Sequence, residues 1–257
     1  MISIPVLKKN IMESIGLWGT VTGFLLLMLL FLFATYQPDG KAWILQTVAG
    51  EGLTDLSLSG ILGACFFFVL VSLVPCLFVI PTAAQLIAGN IESGQLCWIL
   101  SAPTKRKRIF FTQVYFLIVS LLAMFLVQAV LGTVFGLILC PQYFEAADFI
   151  LMCLGGFCLH VCFGGAAMLI SCLGSDKAVA VVTSAGVPVF FFVLKLLSGL
   201  GGFFSYFGYA TIFSMYLADD VLDGGIFFAW KYPLLLLIGV CLYWIAMQIF
   251  EKRDLPL

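Results

Sequence analysis

Six long apolar stretches divide this chain, at residues 17–36, 58–80, 109–139, 149–173, 178–197 and 232–250. A helix rises about 1.5 Å per residue, so about 20 apolar residues cover the ~30 Å hydrocarbon core of a bilayer. Each stretch is of that order. Six spans and short loops consume all 257 residues, leaving no room for a separate soluble catalytic domain. Only 10% of the residues are charged, against about 25% in soluble domains. The net charge of −1 excludes a broadly basic nucleic-acid binder. The expected fold is therefore an all-α polytopic membrane protein, residues 1–257 forming one transmembrane domain.

Lysine and arginine set the expected orientation. With both termini in the cytoplasm, the inner segments hold Lys8, Lys9, Lys105, Arg106, Lys107, Arg108, Lys177, Lys252 and Arg253, nine of the twelve basic residues. Lys41 and Lys231 then face outward, and Lys195 lies in the fifth span. Residues 199–218 are apolar enough for a seventh crossing, but that crossing would carry Lys252 and Arg253 outside. The segment is also broken by glycine and rich in Phe and Tyr, as expected at a headgroup interface. Residues 199–225 thus read as an outer re-entrant helical hairpin between spans five and six.

Residues 81–108 are the most informative loop. Leu86, Ile87, Ile91, Trp98 and Ile99 recur at helical spacing, while Gln85, Asn90, Glu92 and Gln95 supply a polar side. That pattern predicts an amphipathic helix on the inner surface over residues 83–103. Pro103 ends it, and Lys105 to Arg108 follow, placed to meet anionic headgroups or an acidic partner. A second amphipathic pattern opens the chain, where Ile4, Leu7, Ile11, Ile15 and Trp18 line one side and Lys8, Lys9 and Glu13 lie off it. It predicts a short amphipathic helix.

The run Glu92-Ser-Gly-Gln-Leu-Cys-Trp-Ile-Leu-Ser-Ala-Pro103-Thr-Lys-Arg-Lys-Arg108 resembles the cytoplasmic loop of ATP-binding-cassette transporter permeases of the ABC-2 type. The ending Phe250-Glu-Lys-Arg-Asp-Leu255 is similar to that family's C-terminus. Such permeases start with an amphipathic helix on the inner surface, so the resemblance implies an N-terminal interfacial helix at residues 1–16, and with the six-span layout it extends over the whole chain. It implies a permease subunit of an exporter in a bacterial cytoplasmic membrane, paired with a second copy or paralogue. It further implies that separate cytoplasmic ATPase subunits carry ATP and magnesium, with no cofactor on this chain. The chain has no G-x-x-x-x-G-K-[ST] phosphate loop. By the resemblance, Glu92, Gln95, Arg106 and Arg108 are contacts for the ATPase, with Glu13 and Lys9 beside them, and residues 83–103 act as a coupling helix.

Two ionisable residues fall within spans. His160, the single histidine, sits among Gly155, Gly156, Gly164 and Gly165, where it can serve helix packing or a transport pathway. Lys195 can snorkel to the interface or bind an anionic group of cargo. The nine cysteines lack metal-type spacing and read as small apolar packing residues. Asp219, Asp220 and Asp223 match the D-D-x-x-D pattern that holds a diphosphate through magnesium in membrane prenyltransferases. No second acidic cluster accompanies them on another span. A stand-alone channel or secondary carrier is the alternative from another class; it needs no ATPase. Cargo is expected to be amphipathic or lipophilic, because the spans carry many Phe residues and few charges.

Overall fold

The computed structural model describes residues 4–36, 58–95, 106–200, 202–216, 221 and 228–252. Among these residues the regular structure is all helix, joined by short turns, with no strand. It has six helices long and apolar enough to cross a membrane. They are α1 (Ile4–Thr35), α2 (Leu58–Glu92), α3 (Arg106–Leu139), α4 (Ala146–Leu173), α5 (Lys177–Ser198) and α6 (Phe228–Lys252). This is the architecture of a multi-pass membrane protein.

The bundle is built around α4. In its most apolar stretch 72% of residues are buried, against 17% for α5, so α4 is the central helix and α5 a peripheral one. It packs on α6 most extensively and also on α2, α3 and α5. Glycine makes this possible. A Cβ at Gly165 would stand 2.9 Å from the Gly239 carbonyl oxygen, and one at Gly239 would stand 3.2 Å from the Cys162 nitrogen. The two backbones touch directly. In lipid, where apolar side chains gain nothing by leaving the solvent, such close packing drives helix association. Amide side chains add further ties: Gln128 Nε2 on α3 donates to the Thr22 carbonyl of α1 at 3.2 Å.

Helix α2 is irregular. Residues Leu62–Val71 and Gln85–Gly89 are wound as wider π turns, and a turn at Val74 and Pro75 separates them. Pro75 has no N–H to offer the Val71 carbonyl, so α-helical bonding breaks there. Ser72 Oγ donates to the Phe67 carbonyl five residues back, at 3.1 Å.

Two expected sub-elements differ from their sequence reading. Residues 1–16 are not a separate interfacial helix, because α1 runs unbroken from Ile4 to Thr35. At about 1.5 Å per residue its 32 residues span about 48 Å, so one rod serves both interface and span. The expected helix at 83–103 is likewise no independent surface element as far as Gln95. Residues up to Glu92 continue α2, and Ala83, Ala84, Leu86, Ile87, Ala88 and Asn90 are buried inside the bundle. Residues 96–105 lie outside the described part. Of the expected re-entrant segment, residues 217–220 and 222–225 lie outside the described part, and the described residues between α5 and α6 form short helical turns at Gly202–Tyr206, Phe207–Ala210 and Ile212–Met215, with no long helix among them. They fold back on the bundle: Thr211 Oγ1 donates to the Phe191 carbonyl at 2.9 Å, and Phe213 packs on Phe163 and Phe192.

Candidate functional site

One end of the bundle gathers the start of α1, the end of α2, the starts of α3 and α5 and the end of α6. Lys9 of α1 donates to the Asn90 carboxamide oxygen at 3.3 Å and to that of Gln95, and pairs with Glu13 at 3.7 Å. Glu92 takes the backbone N–H of Lys177 at 2.9 Å, and the Asp176 side chain takes that of Val179 at 3.1 Å. Two carboxylates thereby satisfy the first free amides of α5 and face the positive end of its dipole. Lys107 of α3 pairs with Glu251 of α6 at 3.1 Å.

Lys9, Glu13 and Gln95 are thus brought into one cluster, and Glu92 joins α2 to α5 beside it. Arg106 and Arg108 open α3 at the same end, next to the Lys107–Glu251 pair. His160 and Lys195 are elsewhere. His160 is fully buried midway along α4; its Nδ1–H donates to the Gly156 carbonyl at 2.8 Å, with the Phe125 and Phe163 rings against it. Lys195 is in the last turn of α5, at the opposite end of the bundle, where a cation complements the helix dipole. Asp219, Asp220 and Asp223 lie outside the described residues. No protein-family model matches this chain, and no curated protein matches it.

The sequence reading passed over the residue that holds this end together. Gln113, two turns into α3, is fully buried and donates from Nε2 to the Leu86 carbonyl at 2.6 Å. Asn90 Nδ2 donates to the same oxygen at 2.8 Å. An amide in an otherwise apolar run is itself a signal, because such a group in a membrane span needs a partner on a neighbouring helix.

The opposite end is aromatic. Phe33 meets Phe144 edge to face, Tyr36 meets Tyr143, and Phe67 meets Phe149. Cys140 reaches the Phe33 carbonyl at 3.7 Å, and burial there raises its thiol pKa above the ordinary value. Two apolar clefts open on the outside of the bundle. One, of about 360 Å³, lies between Ile11, Ile15 and Trp18 of α1 and Tyr115 and Val119 of α3, with buried Phe78 behind them. The other, of about 480 Å³, lies between Leu173 of α4 and Trp244 and Lys252 of α6.

Proposed function

We propose that the chain is the membrane-spanning permease subunit of an ABC-2 type exporter, driven by separate ATPase subunits that dock on its basic end. The observation that carries the reading is the convergence at that end of Lys9, Glu13, Glu92 and Gln95 with the Arg106–Arg108 start of α3. A partner pressing there meets a rigid junction of α1, α2 and α5. Glu92 acts in this scheme as an internal strut, coupling motion of α2 to α5. A force on the end of α2 is passed upward through a helix already weakened at Pro75 and its two π turns, which gives the bundle a hinge. The excess of basic residues at this end supports placing it, with both termini, in the cytoplasm.

The chain works in this reading beside a second copy or a paralogue, in a bacterial inner membrane. It carries no catalytic residue, and ATP and magnesium belong to the partner. The two lipid-side clefts are apolar, in keeping with an amphipathic or lipophilic cargo. The test is reconstitution in vesicles with its co-purifying membrane partners. Transport of a lipophilic dye that requires ATP hydrolysis by a bound P-loop ATPase is expected. Equal transport by the chain alone, with no nucleotide, refutes the proposal and selects a channel or carrier. Magnesium-dependent turnover of a prenyl diphosphate by the isolated chain would move the assignment to Asp219, Asp220 and Asp223.

A further inference from the structure

We infer that Gln113 is a positioning residue that locks the end of α2 in a widened turn, and so sets the direction in which Glu92 and Gln95 face. Its bearing on transport rests on the docking reading above; the register itself is a property of this chain.

In a regular α-helix the N–H of residue 90 would bond the carbonyl of residue 86. Here the Asn90 N–H goes instead to the carbonyls of Gln85 and Ile87, so Leu86 loses its α-helical donor. A buried carbonyl without a donor is costly. Two side-chain amides supply what the backbone withdraws: Asn90 Nδ2 at 2.8 Å and Gln113 Nε2 at 2.6 Å. Asn90 moves with α2 and donates in either register, whereas Gln113 belongs to α3 and holds the carbonyl from outside. The Gln113 Oε1 atom has no partner among the described residues, so the amide is spent on this one contact at some cost.

The alternative register is accessible. If the π turn tightens to an α turn, Leu86 regains a backbone donor and no longer needs Gln113. Each residue of an α-helix turns about 100°, so removing the extra residue of a π turn swings everything beyond it by roughly that angle. Gln95 would leave Lys9, and Glu92 would leave the start of α5. These contacts, present at 2.9 Å for Glu92, therefore report the register directly.

The experiment is zero-length carbodiimide cross-linking of the purified full chain in the Gln95→Glu background, read by mass spectrometry. That substitution gives the Lys9 amine a carboxylate at position 95. Lys9 with Glu13, inside α1, normalises for Lys9 reactivity, and Lys107 with Glu251 reports that the end of the bundle is folded. Gln113→Met keeps the volume and removes the donor. The 9–95 product relative to the 9–13 product is expected to fall about fivefold to tenfold, the population change of losing one buried amide hydrogen bond. Deleting Ala88, which takes the extra residue out of the π turn, should restore the product in the Gln113→Met chain. An unchanged 9–95 product in Gln113→Met overturns the inference, as does a loss that the Ala88 deletion fails to restore. The deletion is also made with Gln113 intact: retention of the 9–95 product there supports the register account and its loss overturns it, whether or not Gln113→Met folds. Neither arm contains an ATPase or a cargo, so failure here and failure of the transporter reading are separate results.

Discussion

Replacing Gly165 by alanine should destabilise the bundle, and the structure indicates by how much. The added methyl would stand 2.9 Å from the Gly239 carbonyl oxygen and 3.0 Å from Leu242 Cβ. Neither neighbour is the far end of a flexible side chain, so relief requires α4 and α6 to move apart. Overpacking of this kind costs about 1–3 kcal/mol. Glycine to alanine inside a helix also gains about 1 kcal/mol in propensity, which masks part of the clash. Gly186 on α5 supplies the control, since a Cβ there meets nothing within 4 Å. Gly186→Ala registers the propensity gain alone, so the difference between the two variants isolates the contact, at about 1–3 kcal/mol. Unfolding in mixed micelles of increasing SDS content, followed by far-ultraviolet circular dichroism, measures both. Two variants agreeing within about 0.5 kcal/mol, the usual effect of an uninvolved substitution, would refute the claim that α4 and α6 meet backbone to backbone.

Glu92→Gln should cost about 1 kcal/mol by weakening the cap on α5, and Glu92→Lys more, because it sets a cation at the positive end of the helix; the same SDS titration ranks them, and equal stability of the three chains removes the strut. Trp18→Phe deletes the Nε1–H that donates to the Ser120 carbonyl at 2.9 Å; a loss of about 1 kcal/mol is expected, and no loss would show that α1 and α3 do not depend on that tie. Cys140 is buried in the folded chain, so a maleimide should modify it far more slowly there than in the SDS-unfolded chain. The raised Cys140 pKa keeps its thiol protonated near neutral pH, so its labelling should accelerate as pH climbs beyond the ordinary thiol range. Equal labelling of Cys140 in the folded and the SDS-unfolded chain at pH 7 would place residue 140 in the open.

The long helices were legible because each apolar run has a single solution in hydrocarbon, and residues 58–80 or 149–173 read the same way from hydropathy and from the structure. Lateral arrangement is another matter. The mixed pattern of Gln85, Asn90, Glu92 and Gln95 against Leu86, Ile87 and Ile91 fits a helix lying on a membrane. It fits equally a helix end whose polar side chains are met by other helices. Sequence separation hides which applies: Lys9 reaches Asn90 and Gln95 across more than eighty residues, and Glu92 reaches the Lys177 amide across 85. The stripe Leu7, Ile11, Ile15 and Trp18 was ambiguous in the same way, and in the folded chain it borders the cleft with α3.

What no periodicity announces is a change of winding. A π turn places one residue out of phase, and the cause lies in another helix, in Gln113, 27 residues from Leu86. The turn persists only while an external donor answers the carbonyl that it exposes. The break at Pro75 is of another kind, since proline withdraws the N–H permanently and Val71 has no α-helical alternative to return to. Of the irregularities at Pro75 and at Gln85–Gly89, the proline fixes a bend and the amide holds a choice. A helix with one permanent bend and one conditional turn has a defined place to flex and a defined direction in which to rotate. A subunit that must convert a push at its end into movement between its helices needs both.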